Sequence, residues 1–198
     1  MVCVYFCCHV VFNFNKFEVV SVKPIFLANF LSKRLITLFL SLSFLAFSNA
    51  TMAFTDTDGK TTTIENYLGK GKFTVVEVWA TDCPACRKHM PSMVKFDGKL
   101  KNTQILGVSL DGQAGADKVD DFIMEYGMKF PNLISNAIEM NIWMQQNTPE
   151  GLIGTPAFMI FNPKGQLLAM QAGMIKVEQI ERLIKERSQA SVATEKKG

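Results

Sequence analysis

Seven residues, Phe73-Thr74-Val75-Val76-Glu77-Val78-Trp79, form a nearly unbroken run of aromatic and β-branched side chains. The run lacks the in-out alternation of a strand with one wet face, so it predicts a central strand buried on both sides. After three more residues comes Cys83-Pro84-Ala85-Cys86, where a helical pattern begins that is expected to reach about Lys99. A doubly buried strand needs covering elements on both faces of its sheet. That requirement restricts the chain to layered α/β architectures.

The surrounding signals alternate in the way such a fold needs. Asp58-Gly59 between Phe54-Thr55-Asp56-Thr57 and Lys60-Thr61-Thr62-Thr63 predicts a hairpin. Gln104 to Leu110 predicts the next strand. Val119, Phe122, Ile123 and Tyr126 fall on one face of a helix, and Asn136 to Gln146 predicts another. Ala157 to Phe161, the turn Asn162-Pro163-Lys164-Gly165 and Gln166 to Gln171 predict a strand pair. Val177, Ile180, Leu183 and Ile184 mark a last amphipathic helix. No repeat and no linker divides this stretch.

The first 50 residues read differently. Lys33-Arg34 precedes an apolar stretch, Leu35 to Phe47, that ends in Ser48-Asn49-Ala50. A basic start, a short apolar core and a small-x-small end predict a secretory signal peptide over 33–50, cleaved near Ala50. The apolar stretch is shorter than the roughly 20 residues of a spanning helix, and an uncleaved anchor facing the periplasm is the alternative. Residues 1–30 are a second apolar stretch, which fits a later translation start at Val22, Leu27 or Leu31. The expected organisation is a leader over 1–50, a domain over 51–187 and a flexible tail over 188–198. Four of the 21 basic residues and one of the 18 acidic residues lie in 1–50, leaving 17 of each in 51–198. The net charge of +3 therefore belongs to the leader, and no basic stripe for nucleic acid remains.

Cys83 and Cys86 are the two cysteines beyond the leader, so a multi-disulfide scaffold and a four-cysteine zinc site are excluded. Placed at i and i+3 on a first helical turn, their sulfurs come within bonding reach. The first cysteine stays exposed, and its thiolate faces free backbone N–H groups and the positive end of the helix dipole, which lowers its pKa. Pro84 suits that turn because it needs no N–H acceptor there. Cys83 is the expected nucleophile and Cys86 the resolving thiol. An inert disulfide across so short a loop adds little stability.

The stretch from Val76 to Pro91 resembles the active-site region of the thioredoxin superfamily, and within it the exported TlpA/ResA-like thiol–disulfide oxidoreductases. The likeness rests on Trp-Ala-x-x-Cys-x-x-Cys, on Pro91 five residues after the second cysteine and on Gly154-Thr155-Pro156 before a strand. It extends over roughly 54–187. It implies a thioredoxin-like fold, with a central mixed sheet flanked by helices, an N-terminal hairpin and an inserted helical segment near 115–135. It also implies a cis Pro156 facing the disulfide and Thr155 offering backbone groups to substrate. Trp79, Pro84, Thr155 and Pro156 are the expected substrate contacts, with Trp79 part of an apolar docking surface. No bound cofactor is expected. Protein thiols and disulfides are the expected substrates, a membrane electron donor the expected source of electrons, and a monomer the expected state.

Three residues depart from the family pattern. Asp82 stands where an aromatic residue is usual; beside Cys83 it opposes thiolate formation, or else it caps the helix. Glu77 is expected to be partly buried, to have a raised pKa and to serve as base for Cys86; a strand-edge glutamate reaching water is the alternative. His89, three residues after Cys86, either tunes the pair near neutral pH or is a helix-surface histidine. Ten methionines lie beyond the leader, including Met90 and Met93. Thiolates and thioethers suit Cu(I), so copper binding by Cys83, Cys86, His89, Met90 and Met93 is a rival function. An oxidising disulfide donor is another. A peroxidase would need Thr-x-x-Cys, and Thr81 is only two residues before Cys83.

Overall fold

The computed structural model describes residues 52–195. The leader, its secretory segment and the cleavage point near Ala50 lie outside the described residues, as do residues 196–198. Strands β1 (Phe54–Asp56) and β2 (Thr61–Thr62) form the predicted hairpin. The Asp56 carboxylate closes its turn by accepting from the backbone N–H of Asp58 at 3.0 Å and of Lys60 at 2.8 Å. A single 3-10 turn, Ile64–Tyr67, leads to β3 (Phe73–Trp79). Then follow α1 (Pro84–Phe96), β4 (Thr103–Ser109), α2 (Ala116–Tyr126) and β5 (Asn132–Ile134). The chain ends with α3 (Ala137–Asn147), β6 (Ala157–Phe161), β7 (Leu167–Ala172) and α4 (Val177–Glu195).

The seven strands form one sheet in the order β2-β1-β5-β4-β3-β6-β7. β3, β4 and β5 run parallel, while β6, β7, β1 and β2 each join antiparallel. This is the mixed thioredoxin-like sheet that the sequence implies. Every residue of β3 is buried, as its composition requires. Because side chains alternate along a strand, β3 serves two cores. Phe73, Val75 and Trp79 pack with Met90, Met93 and Phe96 of α1, Phe122 of α2 and Ile180 of α4. Val76 and Val78 face the other way, to Met140, Trp143 and Met144 of α3. Glu77 has the parity of Val75 and Trp79, so its carboxyl enters the layer beneath α1.

Helix ends follow local chemistry. α3 starts on a reciprocal cap: the Asn136 side chain accepts from the N–H of Ile138 and Glu139, and the Glu139 side chain reaches back to the Asn136 N–H. α1 stops at Phe96, three residues short of the expected Lys99. Asp97 leaves the helical region, and Gly98 adopts φ +72°, which favours glycine. α4 overruns its expectation: the segment read as a flexible tail from residue 188 is helical to Glu195. Ser188 donates to the Ile184 carbonyl oxygen at 2.7 Å and accepts from Asn102 Nδ2 at 3.1 Å, tying the helix to the start of β4.

Candidate active site

The end of β3 and the start of α1 place the two sulfurs. Cys83 is the N-cap of α1, in extended backbone conformation, and Pro84 opens the helix. Cys83 Sγ accepts from the Cys86 N–H at 3.1 Å, which satisfies one of the donors a helix start leaves free. The two cysteines form a disulfide with Cα atoms 5.2 Å apart. Cys86 is fully buried, and Cys83 keeps 8% of its surface. Cys83 Sγ also lies 3.5 Å from the Thr155 carbonyl oxygen, and the Thr155–Pro156 peptide is cis as the resemblance implies. The Pro156 carbonyl accepts from the Gly173 N–H at 2.8 Å, so the loop is fastened to the end of β7.

A polar lock holds the turn between β3 and α1. Asp111 accepts from the Thr81 N–H at 3.0 Å, from the Thr81 hydroxyl and from the Ser109 hydroxyl at 2.5 Å. Arg87 Nε donates to the Thr81 carbonyl at 3.0 Å. The guanidinium then lies over the Phe122 ring, 5.0 Å from its centroid, and meets Glu125 at 3.1 Å. Sequence reasoning missed Asp111 and Ser109, which lie some thirty residues along the chain and carry no local motif. Asp111→Ala is expected to lower stability by about 1–3 kcal/mol, because partly buried donors lose their acceptor. Thermal unfolding would show it, and an unchanged midpoint would remove Asp111 from this role.

Glu77 of β3 and His89 of α1 meet in the buried layer between the two elements. Glu77 is fully buried, which removes the strand-edge alternative. Burial pushes its carboxyl above the usual carboxylate range, against the opposing pull of His89. His89 is 6% exposed and is not a helix-surface residue. Its Nδ1 is 3.4 Å from Glu77 Oε1, and its Nε2 is 2.6 Å from the Ile175 carbonyl oxygen.

Other expectations need correction. Trp79 is not a docking surface: it is fully buried, its Nε1 donates to Asn132 Oδ1 at 3.2 Å and its ring stacks on Phe122 at 4.5 Å. Strand parity turns it into the α1 layer, where it keeps no exposed surface. Asp82 is exposed and does not cap α1, because Cys83 does. The copper reading gains no support from the structure. Met90 and Met93 are fully buried core residues, and both His89 nitrogens face other partners. Among the described residues, no group of three or more His, Cys, Asp and Glu side chains could hold a metal ion.

Residues 46–170 match the description of the AhpC/TSA family. The chain belongs to the AhpC/TSA family. This AhpC/TSA member is similar to the thiol-disulfide oxidoreductase ResA of Bacillus thuringiensis subsp. konkukian (strain 97-27). The two are 28% identical over 131 residues, covering 66% of this chain and 71% of that protein. ResA of Oceanobacillus iheyensis is 37% identical over 78 residues, 38% of each chain. Among solved structures, the thiol:disulfide interchange protein of Chlorobium tepidum TLS superposes with TM-score 0.54 at 21% identity. That match covers 69% of this chain and 93% of that one. A thiol-disulfide isomerase from Corynebacterium glutamicum gives TM-score 0.54 at 21% identity, over 69% and 92% of the two chains. These likenesses give the AhpC/TSA chain a thioredoxin-superfamily fold related to the ResA/TlpA-like oxidoreductases, with a buried disulfide suited to dithiol–disulfide chemistry.

Proposed function

We propose that this chain is an exported thiol–disulfide oxidoreductase that reduces disulfides of protein substrates through the Cys83/Cys86 couple. The observation that carries the reading is the asymmetry of the sulfurs. Cys83 reaches the surface at a helix start, and Cys86 is sealed behind it. The reduced Cys83 thiolate is held by the Cys86 N–H and the helix dipole. It attacks one substrate sulfur, the substrate S–S bond breaks and the first substrate thiol leaves. Cys86 then gives its proton to Glu77 and attacks Cys83 Sγ. The Cys83–Cys86 bond forms, and the second substrate sulfur leaves with the electron pair. Thr155 offers its carbonyl beside the reacting sulfur, and Pro84 and Pro156 are the other proposed substrate contacts.

The protein relatives are named thiol-disulfide oxidoreductases, which supports the activity class. Asp82 is exposed beside Cys83 and opposes the thiolate, while Arg87 and Lys88 push the other way. A reductant needs two electrons returned after each turnover, and a membrane electron donor is the proposed source. The proposed destination is the periplasm, with residues 33–50 as the signal and 51–187 as the working domain. Among the described residues, no helix is long and apolar enough to cross a membrane. A peroxidase would need a threonine hydroxyl at the thiolate, whereas Thr81 gives its hydroxyl to Asp111.

The test is the reduction potential of the couple, equilibrated with glutathione or dithiothreitol and read by thiol alkylation. A value near or below about −200 mV is expected for a reductant. A value near about −120 mV would make the protein a disulfide donor and reverse the proposed direction.

A further inference from the structure

Glu77 and His89 form a buried pair whose protonation is constrained by a third group. Nε2 of His89 faces the Ile175 carbonyl oxygen at 2.6 Å. A carbonyl only accepts, so Nε2 carries a hydrogen. Nδ1 then either holds a proton against the Glu77 carboxylate or accepts one from the Glu77 carboxylic acid. The alternative, an ionised carboxylate against a bare nitrogen lone pair, places two acceptors 3.4 Å apart in the core. Neither Glu77 oxygen nor His89 Nδ1 makes a hydrogen bond, so the 3.4 Å contact is what each has to answer its burial. Its strand neighbours are Gly107, which has no side chain, and Phe158, whose ring meets His89 edge-on at 4.9 Å. The pair therefore shares one proton and carries no net charge.

His89 also lines a groove of about 550 Å³ between α1 and the segment joining β7 to α4. The charged groups facing it there are Lys88, Lys95 and Lys99 of α1, Lys176 of the joining segment and Glu178 of α4. Lys99 is paired with Glu181 at 2.6 Å. The disulfide lies one helical turn before His89.

We propose that Glu77 and His89 work as one proton-holding unit, in which His89 is the positioning residue that keeps Glu77 able to take the Cys86 proton at neutral pH. The inference rests on the reading of Glu77 as the base for Cys86. A lone carboxyl at this depth would be protonated and would have nothing to accept with. His89 supplies the one proton that burial demands and leaves the carboxyl free to take a second. In the resolving step the Cys86 proton passes to Glu77, so the pair holds two. The Cys86–Cys83 bond forms as the bond from Cys83 to the departing sulfur breaks. The departing sulfur carries off the electron pair and takes a proton from water. The pair then returns its second proton to solvent. Burial alone would pull the imidazole down, yet Glu77 holds it above its ordinary value, in keeping with a pair that retains its shared proton.

The experiment mixes the reduced full chain rapidly with oxidised glutathione and follows release of the second glutathione from about pH 5.5 to pH 9. Glu77→Gln is expected to slow that release about a hundredfold and to flatten its pH profile. His89→Gln, which can still donate to Ile175, is expected to move the acid limb up by about one pH unit. That shift makes release up to about tenfold slower on the acid side of the profile and restores it in alkali. The double variant is expected to be no slower than Glu77→Gln alone. Coincident profiles for His89→Gln and the unsubstituted chain would overturn the positioning role while leaving Glu77 as base. Unchanged release in Glu77→Gln would instead remove the reading beneath it. Should the variants fail to fold, imidazole nitrogen shifts in the unsubstituted chain decide the matter. Nε2 protonated throughout, with no change at Nδ1 from about pH 5.5 to pH 9, is expected; an ordinary titration at about 6.5 overturns the proposal.

Discussion

Cys86→Ser is expected to accumulate a covalent adduct on Cys83, and Cys83→Ser to form none. The reason is access. Cys83 keeps a small exposed face at the end of β3, and Cys86 has none. An incoming disulfide can therefore meet only Cys83. Once the mixed disulfide exists, its escape in the native chain depends on Cys86, whose backbone N–H already points at Cys83 Sγ. A serine hydroxyl at 86 cannot displace a thiol, so the intermediate persists. Intact mass after exposure to oxidised glutathione reads the outcome directly. Turnover should fall on the order of 10³-fold or more in both variants, since each removes a bond-forming atom. An adduct on Cys83→Ser, or turnover retained by it, would remove Cys83 from the nucleophile's place.

Gly107→Ala is expected to be the most damaging small substitution in the sheet. Gly107 lies in the middle of β4, between β3 and β5. Trp79 of β3 and Asn132 of β5 reach across it and join by a hydrogen bond of 3.2 Å. A Cβ at 107 would stand 1.9 Å from Asn132 Oδ1 and 2.9 Å from Trp79 Nε1. Both side chains are buried, so neither can swing into water. Displacing Asn132 breaks its bond to Trp79 and loosens the Trp79–Phe122 stack. Overpacking and a lost buried hydrogen bond together cost about 2–4 kcal/mol. For a domain of this size the melting midpoint should drop by about 5–15 °C, with the near-ultraviolet signal of Trp79 changing as well. Asn132→Ala in the same chain removes the colliding atom and should recover part of the loss. A midpoint unchanged by Gly107→Ala would mean the bridge contributes nothing.

Much of this could be read from the chain because the strongest signals are local. The continuous run of β3 forced a two-sided sheet, and the apolar spacing of Val119 and Phe122 marked α2. The hidden parts are of two kinds. β5 has only three residues, too few for any period to show. Asp111 acts through space on Thr81, and no pattern near either residue announces it. His89 is a different case. Cys86, His89, Met90, Met93 and Phe96 are the buried positions of α1, at spacings of three and four. The stripe that buries His89 was present in the sequence, but the polarity of the residue argued for the surface. Trp79 was misplaced for the converse reason: proximity to the cysteines suggested contact with substrate, while strand parity had already turned it inward.

The N-terminal hairpin bears on how the sheet ends at the side of β5. β5 is wholly buried and ends the parallel part of the sheet, and β1 pairs along its outer side. Without that cover, β5 would present a row of unpaired N–H and C=O groups, the template on which chains stack edge to edge. The strand that shields it is three residues long and the one beyond is two, with Lys60 and Asp58 at the turn. So short and charged a border offers little for a neighbour to extend. The hairpin thus stands outside the redox chemistry and gives this side of the sheet a short, charged margin in place of a long open edge.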